Sequence, residues 1–544
     1  MKKIEGNLID IYKDEIYPAI ILINEKGIIE EIRKTEKTYN HYIAPPLIDA
    51  HVHVESSMLI PSEFAKLAVR CGTVAVVSDP HEIANVNGIK GVNFMIENGK
   101  TVPLKFYFTA PSCVPATEFE TSGHKINAED LDKLFATNEM IALGEMMNFP
   151  GVINDFKDVI AKLDVAKKWN KPIDGHIPGI TGEDLKKYIK AGISTDHEAY
   201  MLSEALEKIN LGMKILIREG SAAKNFNELA SLIDSHNEMC MLCTDDSHPD
   251  ELIQFGHIDK IIRLGIEKGL SIFNLLRAAS INTIKHYKLN VGCLRVGEPA
   301  DFILIDSPKS FEIKQTYING ECIFDNGRIL FTSETPKPIN NFVLENNFSE
   351  DEIKVIPQKN KKLRIIKCFD GSLLTEEIHE TALVENNNVI SNTEKDILKI
   401  VVINRYNKSK PAIGFIQGFG LKRGAIASSV CHDSHNIIAL STDDTSIIKA
   451  INELIENKGG ITCVSDKDYF TIPLPYAGLM SAQSGISIAK DYNTLNNIVK
   501  SMGCTLTAPF MTLSFMSLLV IPNLKIGDKG LFNITKYDFQ DLWV

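Results

Sequence analysis

Leu47-Ile48-Asp49-Ala50-His51-Val52-His53-Val54-Glu55 is a short apolar run that ends in His-x-His. Side chains on a strand alternate between faces, so His51 and His53 point the same way and can hold one metal ion together. Asp49, two residues before the first histidine, is placed to fix its ring from behind. Two histidines can also simply pack, so the choice between packing and ligation rests on residues further along the chain.

From about 45 to 290 the pattern alternates between strand and helix. Short apolar runs at 47–53, 73–78, 105–109, 141–144, 173–175, 193–196, 214–218 and 240–244 read as strands. Helical patterns lie between most of them. Pro61 opens one in its first turn, 154–169 has a 3.6-residue apolar rhythm, and Thr181-Gly182-Glu183-Asp184 resembles a capping box. Eight strand–helix units over about 245 residues match the size of a (β/α)₈ barrel. No Gly-rich dinucleotide fingerprint follows the first strand, which disfavours an open doubly wound sheet.

The flanks differ. Residues 1–44 read as strands and turns, and so do 291–345, with Ala300-Asp301-Phe302-Ile303-Leu304-Ile305-Asp306 as the clearest run. The expected architecture is therefore α/β: a TIM-like barrel at 45–290, a small β-sandwich domain built from 1–44 and 291–345, and a C-terminal α/β domain at 346–544. The polar stretch 332–362 is the linker candidate.

The bulk properties are those of an ordinary soluble globular protein. The chain has 544 residues, 44% hydrophobic and 24% charged, and a net charge of −12 without a basic block, which argues against a nucleic-acid groove. No apolar run reaches about 18 residues, so no membrane span is expected. The N-terminus lacks a signal-type apolar region and reads as cytoplasmic. Ten cysteines are scattered, and the one close pair, Cys240 and Cys243, sits in what reads as a buried strand.

Active sites of such barrels form where the C-terminal strand ends converge. Those ends carry His51 and His53, then Asp79-Pro80-His81-Glu82, Glu145, His176, His197, and finally Asp245 and Asp246. Four histidines and two carboxylates gathered at one place need a cation to offset the cost of burial. Nitrogen and oxygen donors without thiolate suit Mn²⁺, Fe²⁺ or Zn²⁺. The expected ligands are His51, His53, Glu145, His176, His197 and Asp245, for one or two ions.

This set resembles the amidohydrolase superfamily: His-x-His after the first strand, single histidines after the fifth and sixth, and aspartate after the eighth. The resemblance narrows to bacterial adenine deaminases through 45–58, Asp79-Pro80-His81-Glu82-Ile83-Ala84-Asn85-Val86, Asp174-Gly175-His176, Asp196-His197-Glu198 and Thr244-Asp245-Asp246-Ser247-His248-Pro249-Asp250. It continues through His432-Asp433-Ser434-His435-Asn436 and Pro473-Leu474-Pro475. Where many two-metal members use a carboxylated lysine, this chain has Glu145, which can also bridge two cations. The resemblance implies metal-dependent hydrolysis of adenine to hypoxanthine and ammonia in purine salvage, with manganese as the expected ion and a homo-oligomeric assembly. Another amidohydrolase, such as a cytosine deaminase or cyclic-amide hydrolase, is the alternative. Asp245 is the expected proton shuttle and His81 its helper near the leaving group. Glu55, Ser56, Glu82 and Asp246 are the candidate contacts to the purine base. His432-Asp433-Ser434-His435 is expected to form a lid, a second polar cluster or a tightly bonded turn.

Overall fold

The computed structural model describes every residue except Ala222, Asn346, Asp466 and Lys467. The chain divides into two compact units. The first comprises Met1–Pro80, Asn93–Ser112 and Asn127–Pro336, and the second His81–Val92, Cys113–Ile126 and Lys337–Val544.

The barrel strands of the first unit are Leu47–His53, Thr73–Ser78, Lys105–Ala110, Met140–Met146, Ile173–Gly175, Thr195–Asp196, Lys214–Arg218 and Cys240–Cys243. Strands one to five form one parallel ladder and strands six to eight another. Val74, Val76 and Val77 of strand two are fully buried, as expected of parallel strands covered on both faces. Past Thr244 the eighth strand continues as Asp245–Asp246, which pairs with the first (Asp245 with Val52, Asp246 with His53). Between strands five and six, Ser194 N donates to Ile173 O at 2.9 Å. Their approach is close: a Cβ on Gly175 would sit 2.3 Å from Thr195 O.

Apolar helix faces cover this wall. Ile258, Ile261, Ile262 and Leu275 pack in one core with Ile215, Ile217 and Leu242 of strands seven and eight. The rhythm over 154–169 belongs to helix Lys157–Lys168; a shorter helix, Phe149–Ile153, precedes it, and Asp155 turns left-handed at φ 56° between the two. Thr181 precedes helix Gly182–Lys190 without a side-chain cap bond. A reciprocal cap stands instead at Asn127, which exchanges bonds with Asp130 ahead of Ala128–Ala136.

The two flanks meet in one eight-stranded ladder. Tyr42–Ala44 is its seam, parallel to Lys2–Asp10 (Ile43 with Leu8) and antiparallel to Phe302–Ile305 (Ile43 with Leu304). Leu8, Ile21, Ile23, Ile43, Phe302 and Leu304 share its core.

The second unit is built on another eight-stranded sheet, with Ile397–Ile403 and Ile437–Ser441 near its centre. Helix Asp444–Glu456, capped by Asp443 on Ser446 N, lays Ile447, Ile451 and Leu454 against Val401, Ala427 and Ala439. Two segments from within the barrel sequence belong here. Asn85 O accepts Gly123 N at 2.8 Å, and Asn341 Nδ2 donates to Val86 O at 3.0 Å. Among the described residues, no helix is long and apolar enough to cross a membrane.

Candidate metal centre

The first unit brings His51, His53, Glu145, His176, His197 and Asp245 together, each almost completely buried. His53 is fixed first. Asp79 O lies 3.0 Å from its Nδ1, so Nδ1–H donates there and Nε2 keeps its lone pair for the cluster. That nitrogen lies 3.2 Å from His51 Nε2, 3.1 Å from Glu145 Oε1 and 3.1 Å from Asp245 Oδ1. Ligands about 2.0–2.2 Å from one ion in a tetrahedral shell stand about 3.3–3.6 Å apart, close to this spacing.

Glu145 turns its other oxygen the opposite way. Oε2 lies 2.8 Å from His176 Nδ1 and 3.2 Å from His197 Nε2. The two oxygens thus face two different pairs of histidines. Strand packing sets this position: Asp79 Oδ2 accepts Glu145 N at 2.9 Å, and a Cβ on the preceding Gly144 would meet that oxygen at 2.3 Å. Only glycine leaves room for the aspartate that aims Glu145.

Buried His176 Nε2 has no hydrogen-bond partner among the described residues. An orphaned imidazole nitrogen beside carboxylates, in a shell of nitrogen and oxygen donors, fits a divalent cation. Groupings within this unit whose ligand atoms lie close enough to share an ion include His51 with His53 and Asp245, His51 with Glu145 and His197, and His176 with His197 and Glu198.

The electrostatics agree. Burial pushes the carboxyls of Glu145 and Asp245 up, but the histidines around Glu145, and Arg218 and the histidines around Asp245, outweigh it and hold both well below the usual range. Burial draws His197 down, yet Glu145, Asp245 and Glu198 raise it to about 9. A cation would take over the role of such protons. Ion binding should therefore release protons, and affinity should rise with pH until His197 is deprotonated near 9. Calorimetry in buffers of differing ionisation heat should find more protons released per ion at about pH 7 than at about pH 9.5. Equal release at both would contradict this arrangement.

The other expected residues fall as follows. Glu55 and Ser56 lie on the buried turn Val54–Ser57 that succeeds the first strand, and Ser56 Oγ donates to Asp246 Oδ1 at 2.5 Å. Asp49 holds backbone rather than the His51 ring: it accepts His51 N, Thr244 N and Thr244 Oγ1 and lies 2.9 Å from His257 Nε2. It thereby locks the first strand to the eighth. Cys240 and Cys243 are buried strand residues, and burial raises both thiols. His81 and Glu82 open helix His81–Asn87 in the second unit, where His432, Asp433 and His435 surround them.

Three participants were missed by sequence reasoning. Arg218, at the end of strand seven and fully buried, donates to Glu198 Oε1 at 2.5 Å and to Asp245 Oδ2. Asp245 is thus divided, with Oδ2 held by the guanidinium and Oδ1 turned to His51 and His53. Glu198 in turn lies 3.4 Å from His197 Nε2. Lys208, also fully buried, ties the loop after strand five to the end of strand six through Ile177 O and Asp196. Arg218 had a signal in its strand-end position.

Two family models match the chain: the amidohydrolase family over residues 42–323 and the adenine deaminase C-terminal domain over residues 372–538. An adenine deaminase from Methanosarcina acetivorans is 52% identical over the whole of both chains. The chain belongs to the adenine deaminase family. Relatives of the same name from Sulfurovum sp. and Borreliella burgdorferi are 49% and 48% identical, each over 99% of both chains. The amidohydrolase match covers all six expected ligand positions.

Proposed function

We infer that the chain is a metal-dependent adenine deaminase, converting adenine and water to hypoxanthine and ammonia. The single observation that carries this reading is the full-length similarity to adenine deaminases in a chain whose barrel strand ends converge on His51, His53, Glu145, His176, His197 and Asp245.

These six residues would hold the ion or ions, and the two oxygens of Glu145, which face separate histidine pairs, suit either one cation or two. Mn²⁺ is the expected ion, and the same donors accept Fe²⁺ or Zn²⁺. When bound, the metal supplies Lewis acidity that lets water ionise near neutral pH.

The chain's own residues then manage orientation and protons. Asp245 Oδ1 takes the proton of the attacking water as oxygen adds to C6 of the purine. It delivers that proton to the amino nitrogen, which leaves as ammonia, while the remaining hydroxyl proton ends on the ring of hypoxanthine. Arg218 fixes the carboxylate by its second oxygen, so that only Oδ1 is presented. Glu55, Ser56 and Asp246, on the turn beyond the first strand and at the end of the eighth, are candidate contacts for the ring nitrogens. His81, which also contacts Glu82 and Asp433, is the candidate helper near the leaving amino group, and Glu82, held by His432 and His435, is a further candidate contact to the base.

Metal dependence tests the reading. Dialysis against a chelator should remove adenine turnover, and Mn²⁺ should restore it. Full activity in protein shown to be metal-free would overturn the mechanism.

A further inference from the structure

The segment Cys113–Ile126, which comes after barrel strand three in sequence, belongs to the second unit and carries a buried carboxyl, Glu120, only 5% exposed. Burying such a group is costly unless donors surround it. Glu120 Oε1 accepts Thr117 N at 3.1 Å and Thr117 Oγ1 at 3.0 Å, and Oε2 meets Ser434 Oγ at 2.5 Å. Thr117 is local. Ser434 lies 314 residues away, so this bond ties two remote segments together.

Both ends of the tie are anchored. On one side of Glu120 the Phe119 ring packs against Phe532 and Tyr537, at centroid distances of 4.6 and 5.0 Å. On the other, Thr121 N donates to Asp528 Oδ1 at 2.9 Å. Ser434 lies in the turn 432–436. Its carbonyl accepts Tyr406 Oη at 2.7 Å, and Asn436 Nδ2 reaches back to Thr121 O at 2.9 Å. At the start of the turn, His432 N donates to Ser514 O at 3.1 Å, and the Phe515 ring stacks on His432 at 4.4 Å.

The side chains of this turn meet helix His81–Asn87. Cys431 N–H donates to His435 Nδ1 at 3.2 Å, so the proton of that ring sits on Nε2 and is donated to Glu82 Oε2. His432 Nδ1–H donates to Glu82 Oε1 at 2.7 Å. Asp433, between His432 and Ser434 in sequence, stands 3.7 Å from His81 Nε2 through Oδ2. A misplacement of about 1 Å in supporting structure can cost about 10²-fold in rate. A shift of this turn would loosen both bonds on Glu82 and carry Asp433 away from His81.

We propose that Glu120 is a positioning residue for the deamination: through Ser434 it holds the 432–435 turn, so that His432 and His435 fix Glu82 and Asp433 faces His81. This role rests on the reading of His81 and Glu82 as groups that meet the base or its leaving amino nitrogen. Burial pushes the Glu120 carboxyl up to about 8; the bonds from Ser434 and Thr117 pull it back, and the Asp433 carboxylate adds to the rise. At neutral pH the group is mainly a neutral acid. Glutamine is then a close substitute, keeping an acceptor for Thr117 and a polar partner for Ser434.

The test uses full-length, Mn²⁺-loaded Glu120→Ala, Glu120→Gln and Ser434→Ala, with circular dichroism and metal content confirming fold and loading. Glu120→Ala should lower kcat on adenine by about 10–100-fold, the usual cost of removing a residue that orients a functional group from behind, with KM changed less than kcat. Glu120→Gln should recover most of that loss. Ser434→Ala should repeat it, and covers the case in which Glu120→Ala does not fold. A second measurement needs no turnover. In protein labelled with ¹⁵N-histidine, the downfield imidazole N–H signals of His432 and His435, assigned with His432→Gln and His435→Gln, should shift or broaden in Glu120→Ala and return in Glu120→Gln. These signals separate failure of the tie from failure of the adenine assignment. Unchanged kcat or unchanged imidazole signals in folded Glu120→Ala, or a loss in Glu120→Gln equal to that in Glu120→Ala, would overturn the proposal.

Discussion

Asp245→Asn is expected to lower kcat on adenine by about 10²–10⁴-fold, the range by which a positioned acid–base group accelerates a reaction. The substitution keeps size and shape, so the pairing of Asp245 with Val52 and of Asp246 with His53 should survive. It removes the oxygen that takes and returns the proton, and offers an amide to His51, His53 or Arg218 instead. Metal content measured on the same sample separates the two roles of this carboxylate. Retained metal with lost turnover identifies the proton shuttle, while lost metal identifies a ligand first. His51→Ala, which removes a ligand outright, should abolish turnover with the fold intact. Near-wild-type turnover in metal-loaded Asp245→Asn would remove Asp245 from the mechanism.

Lys208→Met should cost about 3–5 kcal/mol of stability, the usual consequence of removing one partner from a buried charge group. The ammonium is fully buried and donates to Ile177 O at 2.8 Å, Asp196 Oδ2 at 2.9 Å and Glu204 Oε1 at 2.6 Å. Methionine fills much of the same space but leaves two carboxylates without a counter-charge. Asp196 shows what is at stake: burial raises its carboxyl, and Lys208 is the main influence that brings it back below the ordinary range. The loss should reach the metal ligands, because Ile177 comes directly after His176 and Asp196 directly before His197. Urea unfolding monitored by circular dichroism checks the magnitude. A change below about 1 kcal/mol would mean that the neighbouring carboxylates have found other partners or taken up protons at little cost.

Much of the barrel could be read in advance because its strands are buried on both faces. Runs such as Thr73–Ser78 stay apolar until a polar residue marks the strand end, where a barrel keeps its chemistry. The six candidate ligands became visible together for that reason. Other features depend on contacts remote in sequence. Glu82 meets His432 across 350 residues, so nothing near it announces membership in the second unit. Lys208 lies on the amphipathic helix Leu202–Asn210, where a lysine ordinarily marks the solvent face, yet here it points inward to Asp196. Asp155 turns left-handed, a conformation aspartate tolerates better than most residues, so the helix starts at Lys157 rather than at the beginning of the apolar rhythm. Asp49 was expected at the His51 ring. It acts instead on the strand backbone, because its carboxylate reaches Thr244 across the closing seam of the barrel.

The most direct test of the central claim is ammonia release from Mn²⁺-loaded protein given adenine, adenosine, cytosine or guanine separately, with metal content determined on the same sample. We expect release from adenine alone, together with hypoxanthine in equal amount. Silence on adenine from protein with its barrel centre filled, or faster release from cytosine, would contradict the assignment.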